Sequence, residues 1–139
     1  MPARLLPLYF ISADDPDFAA QLAALHALLG EDAELLPPRR LGDTLPSGVD
    51  ALVFPQMLGE AYRRLEQFQA LGLPLLVITS EFGTMSMWDW EINRYLRGAG
   101  VQVIAPYNLE QARLACRLLA LKREINGARF VVYQDNPGE

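Results

Sequence analysis

The sequence predicts an α/β fold, an open, doubly wound parallel sheet of flavodoxin or Rossmann type arranged as a three-layer sandwich. Short apolar runs at residues 5–11, 33–36, 51–54, 75–79, 101–105 and 130–133 alternate with longer stretches of helical spacing. Such alternation implies right-handed crossovers, each returning the chain to the same strand direction. The runs LPLLVIT and VQVIAP show almost no polar alternation, as strands covered on both faces require. At 139 residues, 51% hydrophobic and 21% charged, the chain has the length and composition for one sizeable core and too little length for two.

The elements follow in order. The opening MPARLLPLYFISADD carries a short apolar run containing Pro7, then turns acidic without a small-residue cleavage site, so it reads as a buried strand and not as a signal peptide. Asp14, just ahead of Pro16, is placed to cap the first helix. Phe18, Leu22, Leu25 and Leu29 then recur on one helical face, and Gly30 stops it. After the strand at 33–36, residues 37–50 (PPRRLGDTLPSGVD) read as a loop, with Arg39 and Arg40 solvated. Leu58, Ala61, Tyr62, Leu65 and Phe68 form a second stripe, with Glu60, Arg63, Arg64 and Glu66 toward solvent. Beyond the strand at 75–79 comes SEFGTMSMWDWE. Gly83 there gives freedom to turn, and Ser86 with Asp89 matches a capping box for a helix striped by Trp88, Ile92, Tyr95, Leu96 and Ala99. Asn108 caps the last helix, with Gln111 at its third position, and Gly127 ends it.

Composition excludes several functions. A net charge of -5 offers no electrostatic footprint for nucleic acid, which is bound by clustered Lys and Arg. Cys116 is the only cysteine, so an internal disulfide is impossible. No apolar run approaches the roughly 18 residues of a membrane helix. The cytoplasm is the expected location.

In sheets of this type ligands bind beyond the carboxyl ends of the strands. The first tip, ADDPD, has two adjacent carboxylates and no glycine-rich turn, which argues against a phosphate or flavin. Receiver domains share this topology but need an aspartate at the third tip and a lysine at the fifth. The chain has Phe54-Pro55-Gln56 and Ala105-Pro106-Tyr107 there, so that reading fails. His26, without Cys or acidic neighbours at ligand spacing, is expected as a partly buried, satisfied histidine. Cys116 shares an apolar stripe with Ala112 and Leu119 and is expected to be buried. Asp14, Asp15 and Glu81 have the oxygen chemistry for a hard cation, although helix capping is the commoner use of such acids.

The two tryptophans differ. On a helix Trp88 shares a face with Ile92, Tyr95 and Leu96, whereas Trp90 projects about 200° away from it, so both cannot enter the core. An aromatic exposed at a strand-tip edge suits stacking on a sugar or anchoring a partner subunit.

Glu81-Phe82-Gly83, Trp88-Asp89-Trp90-Glu91, Pro106-Tyr107-Asn108 and Asp135-Asn136-Pro137-Gly138-Glu139 together resemble the end of the N-terminal domain of the L-fucose/L-arabinose isomerase family. The resemblance covers residues 74–139. It implies a domain of an aldose–ketose isomerase that works through an enediol with a divalent metal, usually manganese (Mn2+), bound by later domains. It also implies a homo-oligomer in which this domain covers a neighbouring subunit's active site and contacts the sugar there. Glu81, Phe82, Trp88 and Trp90 carry over as substrate-binding or lid contacts, with no catalytic residue, metal ligand or cofactor on this chain. The expected organisation is a Rossmann-like domain over residues 1–127 and a strand and linker over 128–139, leading to a following domain. A chain of this kind would not turn over sugar alone. The alternative is a stand-alone flavodoxin-like binding or protein-interaction module.

Overall fold

The computed structural model describes residues 2–54, 61–78, 87–106 and 108–127, with the backbone alone at 61, 87–90 and 127. Its strands are β1 (Ala3–Tyr9), β2 (Ala33–Leu35), β3 (Arg39–Arg40), β4 (Ala51–Phe54), β5 (Leu75–Val77) and β6 (Val103–Ile104). The helices are α1 (Pro16–Leu29), α2 (Leu65–Gln69), α3 (Met87–Gly98) and α4 (Leu109–Gly127). The strands form one parallel sheet in the order β2-β1-β4-β5-β6, the doubly wound α/β sandwich that the alternation predicts. The sixth expected strand, at 130–133, lies outside the described residues. No helix among the described residues is long and apolar enough to cross a membrane.

Continuous apolar runs divide by parity between two cores. Leu6, Leu8, Leu52, Phe54 and Leu75 face Phe68 of α2 and Ile92 and Leu96 of α3. Leu5, Ala51, Val53 and Leu76 face Leu25 and Leu29 of α1 and Ala112, Cys116 and Leu119 of α4. Successive strand residues point to opposite faces, so only a strand apolar at every position can serve both layers.

The loop expected at 37–50 contains a strand. β3 pairs with the end of β1, Leu8 with Arg39 and Tyr9 with Arg40, on the edge where β2 pairs with Ala3, Arg4 and Leu5. Leu36 N–H donates to Leu5 O and Leu41 N–H to Tyr9 O, so odd-numbered residues of β1 face this edge. Pro37 and Pro38 separate β2 from β3 because proline has no N–H for the ladder. Pro7, also odd, turns its own missing donor toward that same gap, which explains how an interior strand tolerates it.

Three local expectations shift. The cap of α1 is Asp15, not Asp14: its Oδ1 accepts from Asp17 N–H at 2.8 Å and Phe18 N–H at 3.3 Å, because the side chain that bonds the second and third helical amides must sit directly before Pro16. The second helical stripe is broken into a 3-10 turn at Ala61–Arg63 and the short α2, with Arg64 between them in a non-helical conformation. Arg64 turns inward, its guanidinium 5.8 Å from the Phe10 ring centre, while Tyr62 is exposed. His26 is exposed on α1 and not partly buried, since the core face of α1 is used by Phe18, Leu25 and Leu29.

The ends of the expected last helix agree with α4, and Asn108 Oδ1 accepts from Gln111 N–H at 2.8 Å. Arg113 of α4 donates through Nε and Nη2 to Leu28 O, satisfying a carbonyl that the end of α1 leaves without a helical partner. Arg117, one turn on, pairs with Asp32.

Cys116 is buried, and burial, with a smaller push from Asp32, raises its thiol pKa from 9.0 to about 11. The unfolded chain therefore loses this proton first. Stability is fully present below pH 9.0 and is expected to fall as pH rises toward about 11, by a few kcal/mol in total. Urea unfolding of wild type and Cys116→Ala across that range checks it: the difference between the two should change with pH, and a constant difference would refute the assignment.

Candidate functional site

The order β2-β1-β4 reverses the winding at β1, so the crevice of this fold opens beyond the carboxyl ends of β1 and β4. An aromatic floor lies beneath it. Phe10 stacks on Phe54 with ring centres 5.1 Å apart, and Phe68 lies 5.4 Å from Phe54 and 6.2 Å from Phe10. Two arginines flank the floor: Arg64 over the Phe10 ring, and Arg40, whose Nε donates to Phe10 O at 3.2 Å. Arg40 N–H donates in turn to Asp43 Oδ2. The short β3 thus brings Arg40 to the switch point, where a solvated loop was expected.

The starts of α1 and α4 on this edge are closed by their own side chains. Asp15 takes the first free amides of α1, Ser12 Oγ accepts from Asp14 N–H at 3.1 Å, and Asn108 serves α4. An anion would have to displace these acceptors before it reached the amides of the helix ends. Among the described residues no group of three or more His, Cys, Asp or Glu could hold a metal ion, so they do not fit Mn2+.

Of the residues that the sequence offers as sugar contacts, Glu81 and Phe82 lie outside the described residues. Trp88 and Trp90 occupy the first turn of α3, and their side chains lie outside the description. The backbone still fixes their place. α3 carries the chain from the carboxyl end of β5 to the amino end of β6, so its first turn stands on the carboxyl edge.

Further along α3 the structure builds a surface that sequence reasoning missed. Tyr62 and Tyr95, both expected on apolar stripes, are exposed, with ring centres 4.8 Å apart at 48°. They border a shallow cleft of about 570 Å³ together with Glu91, Arg94, Gly98 and Ala99. Two phenol rings beside a carboxylate and a guanidinium can stack on an apolar sugar face and hydrogen-bond its hydroxyls. The available signal was the pairing of Glu91, Arg94, Tyr95 and Gly98 on one helical face. Asn93, on the inner half of the same helix, is only 2% exposed, and its Oδ1 has no hydrogen-bond partner among the described residues.

Comparisons with protein-family models, curated proteins and solved structures find no match for this chain.

Proposed function

We propose that this chain acts as the substrate-capping and oligomerisation domain of a metal-dependent aldose–ketose isomerase, contacting sugar at an active site completed by a neighbouring subunit. The reading rests on the resemblance over residues 74–139. The observation that carries it furthest is the course of α3, which starts on the ligand-binding edge with Trp88 and Trp90 in its first turn and continues into the exposed Tyr62–Tyr95 pair. Glu81, Phe82, Trp88 and Trp90 are the proposed sugar contacts. The manganese ion and the groups that shuttle a proton between adjacent sugar carbons would belong to other domains. The domain works in the cytoplasm on this reading.

Titration of the purified chain with L-fucose and L-arabinose, followed by tryptophan fluorescence, tests it. A saturable change that Trp88→Phe or Trp90→Phe abolishes is expected, with weak affinity because half of the pocket is missing. No aldose–ketose conversion should accompany it, even with manganese. A fluorescence signal that neither sugar alters would sink the proposal.

The alternative, a stand-alone interaction module, is favoured by a different observation, the apolar outer face of α4.

A further inference from the structure

α4 is apolar on two opposite sides. Ala112, Cys116, Leu119 and Ala120 are buried against the sheet. Leu114, Leu118, Leu121 and Ile125 stand between 45% and 56% exposed. The spacing of this second set is four, three and four, which at about 100° per residue gathers them into one stripe roughly opposite the buried one. It is also the spacing of a seam between two helices. A surface helix needs one apolar face to join its own core, so the second face asks for another occupant. Four half-exposed side chains offer apolar surface on the order of 300–400 Å², the size at which a patch usually marks a contact.

We infer that the occupant is a second copy of this chain, whose α4 packs antiparallel to the first across a two-fold axis between Leu118 and Leu121. In that register Leu118 meets Leu121 of the second copy and Leu114 meets Ile125. The flanking charges match as well. Arg117 and Glu124 border the same side of the stripe, one turn on either side of the axis, so each Arg117 lies beside Glu124 of the second copy. A two-fold makes this pair twice, as a self-complementary patch requires. Arg117 is free to reach outward: its side chain is 61% exposed while its Nε holds Asp32 at 3.4 Å. A parallel pairing would instead set Glu124 of one helix beside Lys122 of the other and Arg117 beside Ala115, so charge reversal at Arg117 distinguishes the two orientations. The interface sits on the helix layer opposite α2 and α3, so it leaves the Tyr62–Tyr95 face open and does not depend on the sugar reading.

Sedimentation equilibrium of the full chain tests the inference, with circular dichroism to show that each variant is folded. A dimer is expected at concentrations on the order of 100 µM, in keeping with a small interface of the weak, transient class. Leu118→Lys, at an exposed position, should leave a folded monomer. Arg117→Glu and Glu124→Arg should each weaken the dimer by about tenfold, and the double reversal should restore it. A wild-type chain that is monomeric at that concentration overturns the inference, whether the stripe is covered by the chain's own residues or by another protein. A dimer that survives Leu118→Lys overturns it too, and a double reversal that stays as weak as the single ones overturns the antiparallel pairing.

Discussion

Replacing Asp50 by Ala is expected to destabilise the fold by about 2–4 kcal/mol, read as a lower urea midpoint with an unchanged slope. Asp50 stands just ahead of β4 with its side chain only 7% exposed. Its Oδ2 accepts from Arg4 N–H at 2.7 Å and from Arg123 Nη1 at 2.8 Å. Arg123 Nη2 continues to Pro2 O at 2.9 Å, and Asp50 N–H returns a bond to Arg4 O. One carboxylate therefore ties the starts of β1 and β4 to α4 at the amino edge of the sheet. Without it, the Arg4 amide and a partly buried guanidinium lose their acceptor, and that loss of pairing outweighs the small volume removed. The partial exposure of Arg123, 26%, keeps the estimate at the lower end of values for buried ion pairs. Asp50→Asn preserves an acceptor oxygen and should lose about half as much. If Asp50→Ala and Asp50→Asn cost the same, the charge-assisted bonds are not what holds this corner.

Phe54→Ala is expected to cost about 3–5 kcal/mol. The ring is 1% exposed and is held between Phe10 and Phe68. Its removal leaves a cavity that these neighbours cannot fill, because Phe10 is fixed through its carbonyl by Arg40 and through its ring by Arg64. Phe54→Leu, which retains most of the apolar volume, should cost about 1–1.5 kcal/mol. Since this ring forms the floor of the crevice at the switch point, the Ala variant should also loosen the rim above it. Amide hydrogen exchange at Phe10 and Arg40 would report that change. Exchange as slow as in the wild type would show that the rim does not depend on this floor.

Periodicity by itself determined the sandwich, because an apolar strand run and an apolar helical stripe are local patterns that only a two-layer burial satisfies. β4, α4, its Asn108 cap and the burial of Cys116 and Leu119 were all legible on that ground. Tertiary structure decided what depends on partners far apart in the chain. Arg39 and Arg40 form a strand only because β1 offers them free backbone groups, and Asp50 gains its role from Arg4 and Arg123, 46 and 73 residues away. Tyr62 lost its place in a helical stripe when the chain broke at Arg64, and found Tyr95 on the surface instead. The apolar stripe on the outer side of α4 belongs to the same class. Periodicity placed Ala112, Cys116 and Leu119 toward the sheet, but how much of the opposite face stays open depends on neighbours far apart in the chain, and packing decides that.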